Sequence, residues 1–216
     1  MKQKDISDER KDYSLASLSE DSVNADPIKQ FEQWLSEVRT TDQIEPTAMN
    51  IATATDAGDI SSRMVLLKAV DSSGFSFFTN YDSQKSQDLA ANANAAICFW
   101  WSSLERQVRV QGEVVKVSEQ ESDKYFNSRP RGSRIGAIAS QQSQVIASSE
   151  ILEQQVESVA SQYQDQDDIP RPEYWGGYRV KPSMIEFWQG RPSRLHDRIR
   201  YILDTNGHWQ IERLSP

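Results

Sequence analysis

Near its C-terminus the chain reads Arg194-Leu195-His196-Asp197-Arg198. On a strand, alternate residues share a face. Arg194, His196 and Arg198 would then project together over ~13 Å, at ~3.3 Å per residue. Two guanidiniums flanking an imidazole suit an anion or a polarised ring. The same spacing also describes a solvated face on an edge strand. A second group is Tyr125-Phe126-Asn127-Ser128-Arg129-Pro130-Arg131-Gly132-Ser133-Arg134, with three arginines and no acid. Arg, Ser and Tyr all donate to phosphate oxygens, and Arg does so with a planar fork. A surface basic loop balancing acidic neighbours is the alternative.

Three further segments carry weaker signals. In Arg63-Met64-Val65-Leu66-Leu67-Lys68, strand parity places the two cations on opposite faces, where they could serve two different anions or simply end a strand in solvent. In Leu104-Glu105-Arg106-Gln107-Val108-Arg109-Val110, Gln107 and Arg109 share one face and the valines the other. Such a glutamine could hydrogen-bond a flavin ring, or form the polar side of a half-buried strand. Gln142-Ser143 offers amide and hydroxyl donors in what reads as a loop.

The elements that must position these residues are mainly strands. Residues 1–25 read as a mobile arm, and residues 26–216 as one folded domain. Asp26-Pro27 starts a helix, with Asp as cap and Pro at the first position. Ile28, Phe31, Leu35 and Val38 then follow at helical spacing. Strands are predicted at residues 49–55, 61–70, 75–79, 95–101, 107–117, 178–180, 184–188, 195–203 and 209–214. Helices are predicted from residue 82 or 83 to about 93, from Ser118 toward Asn127, and around Leu152, Val156, Val159 and Tyr163. Ser118 and Glu121 form a capping box, and Asn206-Gly207 a hairpin turn. Residues 128–140 read as a loop with a short helix. Strands follow one another closely and do not alternate with helices. A mainly β fold with flanking helices is therefore expected, a closed or split antiparallel, Greek-key-like barrel.

Composition removes several classes of function. The 216 residues carry a formal net charge of -8, against nonspecific binding to nucleic acid or to an anionic membrane. No stretch approaches the ~20 apolar residues of a membrane span, and the acidic, serine-rich start resembles no targeting peptide. One cysteine, Cys98, excludes an intrachain disulfide and suits a reducing compartment, here read as the cytoplasm. Two histidines and one cysteine argue against a structural zinc site, and no metal is expected. There is no G-x-G-x-x-G after a strand and no Walker A segment.

The order of the motifs is more telling than any one of them. Arg63–Lys68, Phe77-Phe78-Thr79-Asn80, Ser83-Gln84-Lys85, Leu104–Gln107, Tyr125–Ser133, Trp175-Gly176-Gly177, Ile185–Gly190 and Arg194–Arg198 occur in sequence. In this order they resemble the pyridoxine/pyridoxamine 5′-phosphate oxidase family over roughly residues 26–216. The resemblance implies an FMN-binding split β-barrel acting as a homodimer, with FMN in a cleft between subunits. It places FMN against Arg63, Met64, Val65, Leu66, Leu67, Lys68, Phe78, Thr79, Lys85, Gln107, Gln142, Ser143, Trp188 and Arg198, with Arg63 and Lys85 on its phosphate. It places the substrate phosphate on Lys68, Tyr125, Arg129 and Ser133, and the catalytic pair Arg194 and His196 over the substrate ring. Arg10 and Tyr13 resemble an Arg/Tyr pair that closes over the substrate. The implied reaction oxidises pyridoxine 5′-phosphate or pyridoxamine 5′-phosphate at C4′, passes a hydride to the flavin, and uses dioxygen to give hydrogen peroxide and pyridoxal 5′-phosphate. The chain departs from the family at Gln84, where relatives usually carry Arg, and weaker FMN binding is expected. Another split-barrel flavoprotein, such as a flavin reductase, or a non-enzymatic flavin- or pyridoxal-phosphate-binding protein are the alternative readings.

Overall fold

The computed structural model describes residues 5–9 and 11–216. Among these are nine strands: β1 (Ala48–Ala54), β2 (Ile60–Leu66), β3 (Ala69–Asp71), β4 (Gly74–Asn80), β5 (Asn94–Trp101), β6 (Arg106–Lys116), β7 (Trp175–Gln189), β8 (Asp197–Leu203) and β9 (Trp209–Leu214). Five α-helices accompany them: α1 (Pro27–Val38), α2 (Gln84–Ala91), α3 (Glu119–Ser128), α4 (Arg131–Ala139) and α5 (Ser149–Gln162). The sheet runs β2-β1-β5-β6-β7-β4-β3, with β8 on β7 and β9 on β8. The pairs β3/β4, β4/β7, β7/β8 and β8/β9 are antiparallel. By contact density the chain forms two compact units. Unit 1 holds Met1–Met49, Ile97–Gln111 and Pro182–Pro216, and unit 2 holds Asn50–Ala96 and Gly112–Lys181.

In unit 1, helix α1 forms where its sequence demands it. The Asp26 carboxylate accepts the Ile28 N–H at 2.8 Å, satisfying one of the orphan donors of the first turn. The face made by Ile28, Phe31, Leu35 and Val38 is buried. Phe31 meets Phe99 with ring centroids 5.0 Å apart, and Trp34 meets Phe187 edge-on at 5.1 Å. The Arg106 guanidinium lies 4.3 Å above the Trp34 ring and pairs with Glu37. Strand β9 turns back on β8 through Gly207, whose φ of 81° is a left-handed conformation open to glycine.

In unit 2, β4 lies against the first half of β7, with Phe78 opposite Gly177 and Thr79 opposite Gly176. A core of Phe126, Ile135, Ile169 and Trp175 is flanked by Phe78, Tyr125, Val156 and Val159. Helix α3 starts where Ser118 Oγ accepts the Glu121 N–H at 3.1 Å. Helix α4 spans most of the stretch read as a loop with a short helix.

Three strand assignments from sequence are corrected: residues 61–70 split into β2 and β3, the strand expected from residue 195 begins at Asp197, and the two expected within 178–188 are one. Residues 175–189 form the single strand β7 where two strands were expected. Proline lacks a backbone donor and is rarely accommodated within a paired strand. In the sheet, β4 pairs residues up to Val180 and β8 pairs residues from Met184. Pro182 falls between these pairings and interrupts neither.

Gly177 lets β7 pass beneath Phe78. A Cβ there would lie 2.6 Å from Val117 Cγ2 and 2.7 Å from Phe78 Cε1. Gly177→Ala is therefore expected to displace the Phe78 ring and to lower stability by about 1–3 kcal/mol, the usual range for overpacking. Urea denaturation followed by tryptophan fluorescence checks the loss.

Candidate active site

Unit 2 contains a cavity of about 740 Å³ lined by Arg63, Met64, Val65, Leu66, Lys68, Phe78, Thr79, Gln84, Lys85, Tyr125, Arg129, Pro130, Ser133, Gln142, Ser143 and Trp175. Four of these residues are cations and none is an acid. That is a strong local bias in a chain of net charge -8. The apolar lining comes from the exposed edge of β2 and from a stack of rings. Phe78 and Tyr125 stack at 4.1 Å, and Phe78 and Trp175 at 5.8 Å. Leu67 is buried and lies outside this lining.

Arg63 is held from behind. Its Nη1 donates to Thr53 Oγ1 at 2.8 Å and its Nη2 to Ser61 Oγ. Both hydroxyls in turn donate to the buried Asp88 carboxylate, at 2.6 and 2.8 Å. Asp88 Oδ2 lies 3.8 Å from Arg63 Nη2, and Asp88 Oδ1 accepts the Gln84 side-chain amide at 2.8 Å. Lys85 Nζ donates to Thr79 Oγ1 at 2.9 Å, Ser83 Oγ at 3.0 Å and Gln142 Oε1 at 2.7 Å. All three acceptors are neutral. Burial, with the neighbouring Arg63 charge, pulls the Lys85 ammonium down to about 8.

Arg129 leaves the C-terminus of α3 and packs on the aromatic stack, its guanidinium 4.7 Å above the Trp175 ring. Its Nη1 is buried and has no hydrogen-bond partner among the described residues. Burial pushes its pKa down from the ordinary arginine value. A buried unpaired donor calls for an explanation, and an anion seated in the cavity supplies one. Lys68 Nζ lies 6.0 Å from the Tyr125 ring centre, and Ser133 sits in the first turn of α4. The donor set suits a ligand with phosphate oxygens and a flat apolar part.

The Arg63–Lys68 parity argument is corrected here. Strand β2 ends at Leu66, and the Lys68 N–H bonds instead to Ser76 O at 2.8 Å. Alternation no longer applies past Leu66, and Arg63 and Lys68 line the same cavity.

Unit 1 gathers the remaining predicted residues. Trp188 and His196 have ring centroids 4.6 Å apart, and Tyr13 meets both, at 5.7 and 5.8 Å. His196 Nδ1 accepts the Arg191 N–H at 3.1 Å. This bond selects the neutral tautomer with its proton on Nε2. Partial burial and the Arg194 charge both lower its pKa, so the ring is a neutral Nε2–H donor near pH 7. Arg198 forms a two-pronged pair with the buried Glu186, at 2.9 and 3.1 Å, and donates through Nη1 to Ser215 O at 3.0 Å. Arg109 joins the same carboxylate at 3.1 Å, and Gln107 is half-buried on β6. Arg10 lies outside the described residues.

The shared strand face expected for Arg194, His196 and Arg198 is also corrected. Pro192–Arg194 is a 3-10 turn, with φ of 57° at Ser193 and 61° at Arg194, and β8 begins at Asp197. Arg194 is exposed on that turn and His196 follows it, so only Arg198 belongs to a strand. Sequence reasoning also missed Thr53, Ser61, Asp88 and Glu186, which hold the cations. No local pattern marks them as a set, because Asp88 meets Thr53 and Ser61 across 35 and 27 residues and Glu186 meets Arg109 across 77.

Comparison with known proteins agrees with this geometry. Residues 32–163 match the family model of pyridoxamine 5′-phosphate oxidase, and residues 175–216 match that of the pyridoxine 5′-phosphate oxidase C-terminal dimerisation region. The chain is 56% identical to the pyridoxine/pyridoxamine 5′-phosphate oxidase of Trichormus variabilis over 211 residues, covering 98% of each protein. It is 53% identical to that of Bordetella petrii, covering 98% of this chain and 99% of the relative. Among solved structures, PhzG from Burkholderia lata 383, in complex with tetrahydrophenazine-1-carboxylic acid, superposes with a TM-score of 0.87 at 31% identity, over 94% of this chain and 100% of that one. A pyridoxamine 5′-phosphate oxidase-related, FMN-binding protein from Nostoc punctiforme shares the split-barrel fold, with a TM-score of 0.69 at 14% identity over 86% of this chain and 95% of that one. The chain belongs to the pyridoxine/pyridoxamine 5′-phosphate oxidase family of oxidoreductases.

Proposed function

We propose that the protein oxidises pyridoxine 5′-phosphate or pyridoxamine 5′-phosphate to pyridoxal 5′-phosphate, using FMN and dioxygen and releasing hydrogen peroxide. The observation that carries this reading is the acid-free cationic cavity with a buried, unpaired Arg129 Nη1. Arg63 and Lys85 would hold the FMN phosphate. Met64, Val65, Leu66, Phe78, Thr79, Gln142 and Ser143 would line the ring system. Lys68, Tyr125, Arg129 and Ser133 would grip the substrate phosphate. When bound, FMN supplies a two-electron acceptor that dioxygen regenerates, while the protein supplies position and charge.

The remaining residues act in a homodimer, with FMN at the subunit interface. The match to a dimerisation region over residues 175–216 supports this assembly. Gln107, Trp188 and Arg198 would complete the flavin site. Arg194, exposed on its turn, is free to lie over the substrate ring and stabilise negative charge there. His196 would orient the ring as a neutral hydrogen-bond donor through Nε2–H. Anchoring the phosphate reduces the orientational cost of presenting C4′. Among the described residues no helix is long and apolar enough to cross a membrane. The single cysteine fits a reducing compartment, which the proposed reading takes to be the cytoplasm.

The test is to reconstitute the protein with FMN, add pyridoxamine 5′-phosphate in air, and measure pyridoxal 5′-phosphate and peroxide. Equal amounts of the two are expected. Flavin binding without product would move the function to the reductase or binding-protein readings, and no flavin binding would overturn the proposal.

Two variants refine it. Arg129→Ala should raise KM for pyridoxamine 5′-phosphate by about tenfold to a hundredfold, the loss of one charge-assisted donor, with FMN affinity unchanged. Arg194→Ala should lower turnover far more than FMN affinity. Steady-state kinetics and FMN fluorescence titration separate the two effects.

FMN affinity should also depend on pH through Lys85. The ligand needs the ammonium, which in the free protein loses its proton at about 8. Binding raises that value, so affinity is full below it and falls as pH rises through it. Titration from pH 7 to pH 9.5 should show this weakening. Lys85→Met should bind more weakly throughout and lose this part of the pH dependence.

A further inference from the structure

We infer that Glu105 is a positioning residue, a buried latch that seats residues 11–15 so that Tyr13 braces His196. The inference rests on the function proposed above. Glu105 occupies the turn between β5 and β6 with a φ of 55°, and its side chain is 3% exposed. Its Oε2 accepts the Ser14 N–H at 2.8 Å and the Leu15 N–H at 3.1 Å, and its Oε1 lies 3.3 Å from Lys11 Nζ. These partners are about ninety residues away in the chain. A carboxylate removed from water is costly unless paired and hydrogen-bonded. Every partner seen for this carboxylate comes from residues 11–15.

The seat beside the latch is shaped for Tyr13. A Cβ on Gly190 would lie 2.7 Å from both Cβ and Cγ of Tyr13, so the side chain rests on bare backbone. Gly190 N–H donates to Glu105 O at 2.8 Å, joining seat and latch. A second fastening follows along the chain, where Leu18 N–H donates to Asp197 Oδ2 at 2.9 Å and Arg213 donates to Leu18 O at 3.1 Å. Tyr13 precedes both and presents its ring to His196 and Trp188. His196 already has its Nδ1 fixed by Arg191, so contact from Tyr13 restrains the ring from a second side.

The experiment uses the full-length protein loaded with FMN. Trypsin cleavage after Lys11 is followed by mass spectrometry, and KM and kcat are measured for pyridoxamine 5′-phosphate, in the unaltered chain, Glu105→Ala, Tyr13→Ala and the double variant. Glu105→Ala should speed the cleavage about tenfold, since opening of the segment sets its rate. It should raise KM by about the same factor with FMN affinity within about twofold, and the double variant should be no worse in KM than Glu105→Ala, because residues acting as a unit are non-additive. Unchanged cleavage overturns the latch, and additive KM effects overturn the link to Tyr13. Should Glu105→Ala fail to fold, Glu105→Gln keeps the shape and one acceptor and should give an intermediate cleavage rate; cleavage equal to the unaltered chain again overturns the latch. If the unaltered chain shows no oxidase activity, the proposed function fails, and the cleavage comparison still decides the latch because it needs no substrate.

Discussion

Positive charge held partly out of water with no carboxylate in the cavity is the constraint on which unit 2 is organised. Arg63, Lys85 and Arg129 all have their charged forms disfavoured by burial. The unit tolerates this in two ways. Behind the cavity wall, Asp88 reaches Arg63 mostly through Thr53 and Ser61, so compensation comes without an acid entering the cavity. Lys85 is solvated by three neutral oxygens in place of water. Within the lining, Lys85 and Arg129 face no carboxylate, and only Arg63 is met by one, from behind the wall. A carboxylate in the lining would have made the empty site more stable and the loaded one weaker.

Unit 1 solves the opposite problem. Its buried acids are fully engaged. Glu186 sits between Arg198 and Arg109, and Glu105 is met by the backbone of residues 14 and 15 with Lys11 outside it. In both cases the negative group is the fixed element and the partner is what gets placed. For Arg198 this fixes the guanidinium plane by two parallel bonds, which a single contact would leave free to rotate. For residues 11–15 it fastens the backbone at Ser14 and Leu15 and so holds the segment in place.

Legibility in the sequence followed backbone regularity. Helix α1 was readable because Asp26, Pro27 and the four apolar residues obey local rules over a run of regular structure. The same holds for β9 and its Asn206-Gly207 turn. That Tyr125, Arg129 and Ser133 line one cavity was legible because one short stretch carries all three. Parity failed at Arg194 because Pro192 and two left-handed residues break the strand that the argument assumed. It failed at Lys68 because β2 ends two residues earlier. The supports were invisible for a different reason. Thr53 and Asp88 meet across 35 residues and Glu105 meets Ser14 across 91, so neither pairing leaves a periodic trace.

Gln84 shows how such a support can shift the balance of a site. Its side-chain amide donates to Asp88 Oδ1 and its backbone N–H to Ser143 Oγ, so it takes part in the network without adding charge. An arginine at this position would satisfy Asp88 equally well and bring a third cation beside Arg63 and Lys85. That would strengthen the pull on a phosphate. It would also raise the repulsion that already depresses the Lys85 ammonium. With Gln84, the amide occupies Asp88 Oδ1 without adding a charge, and Asp88 Oδ2 stays with Thr53, Ser61 and Arg63.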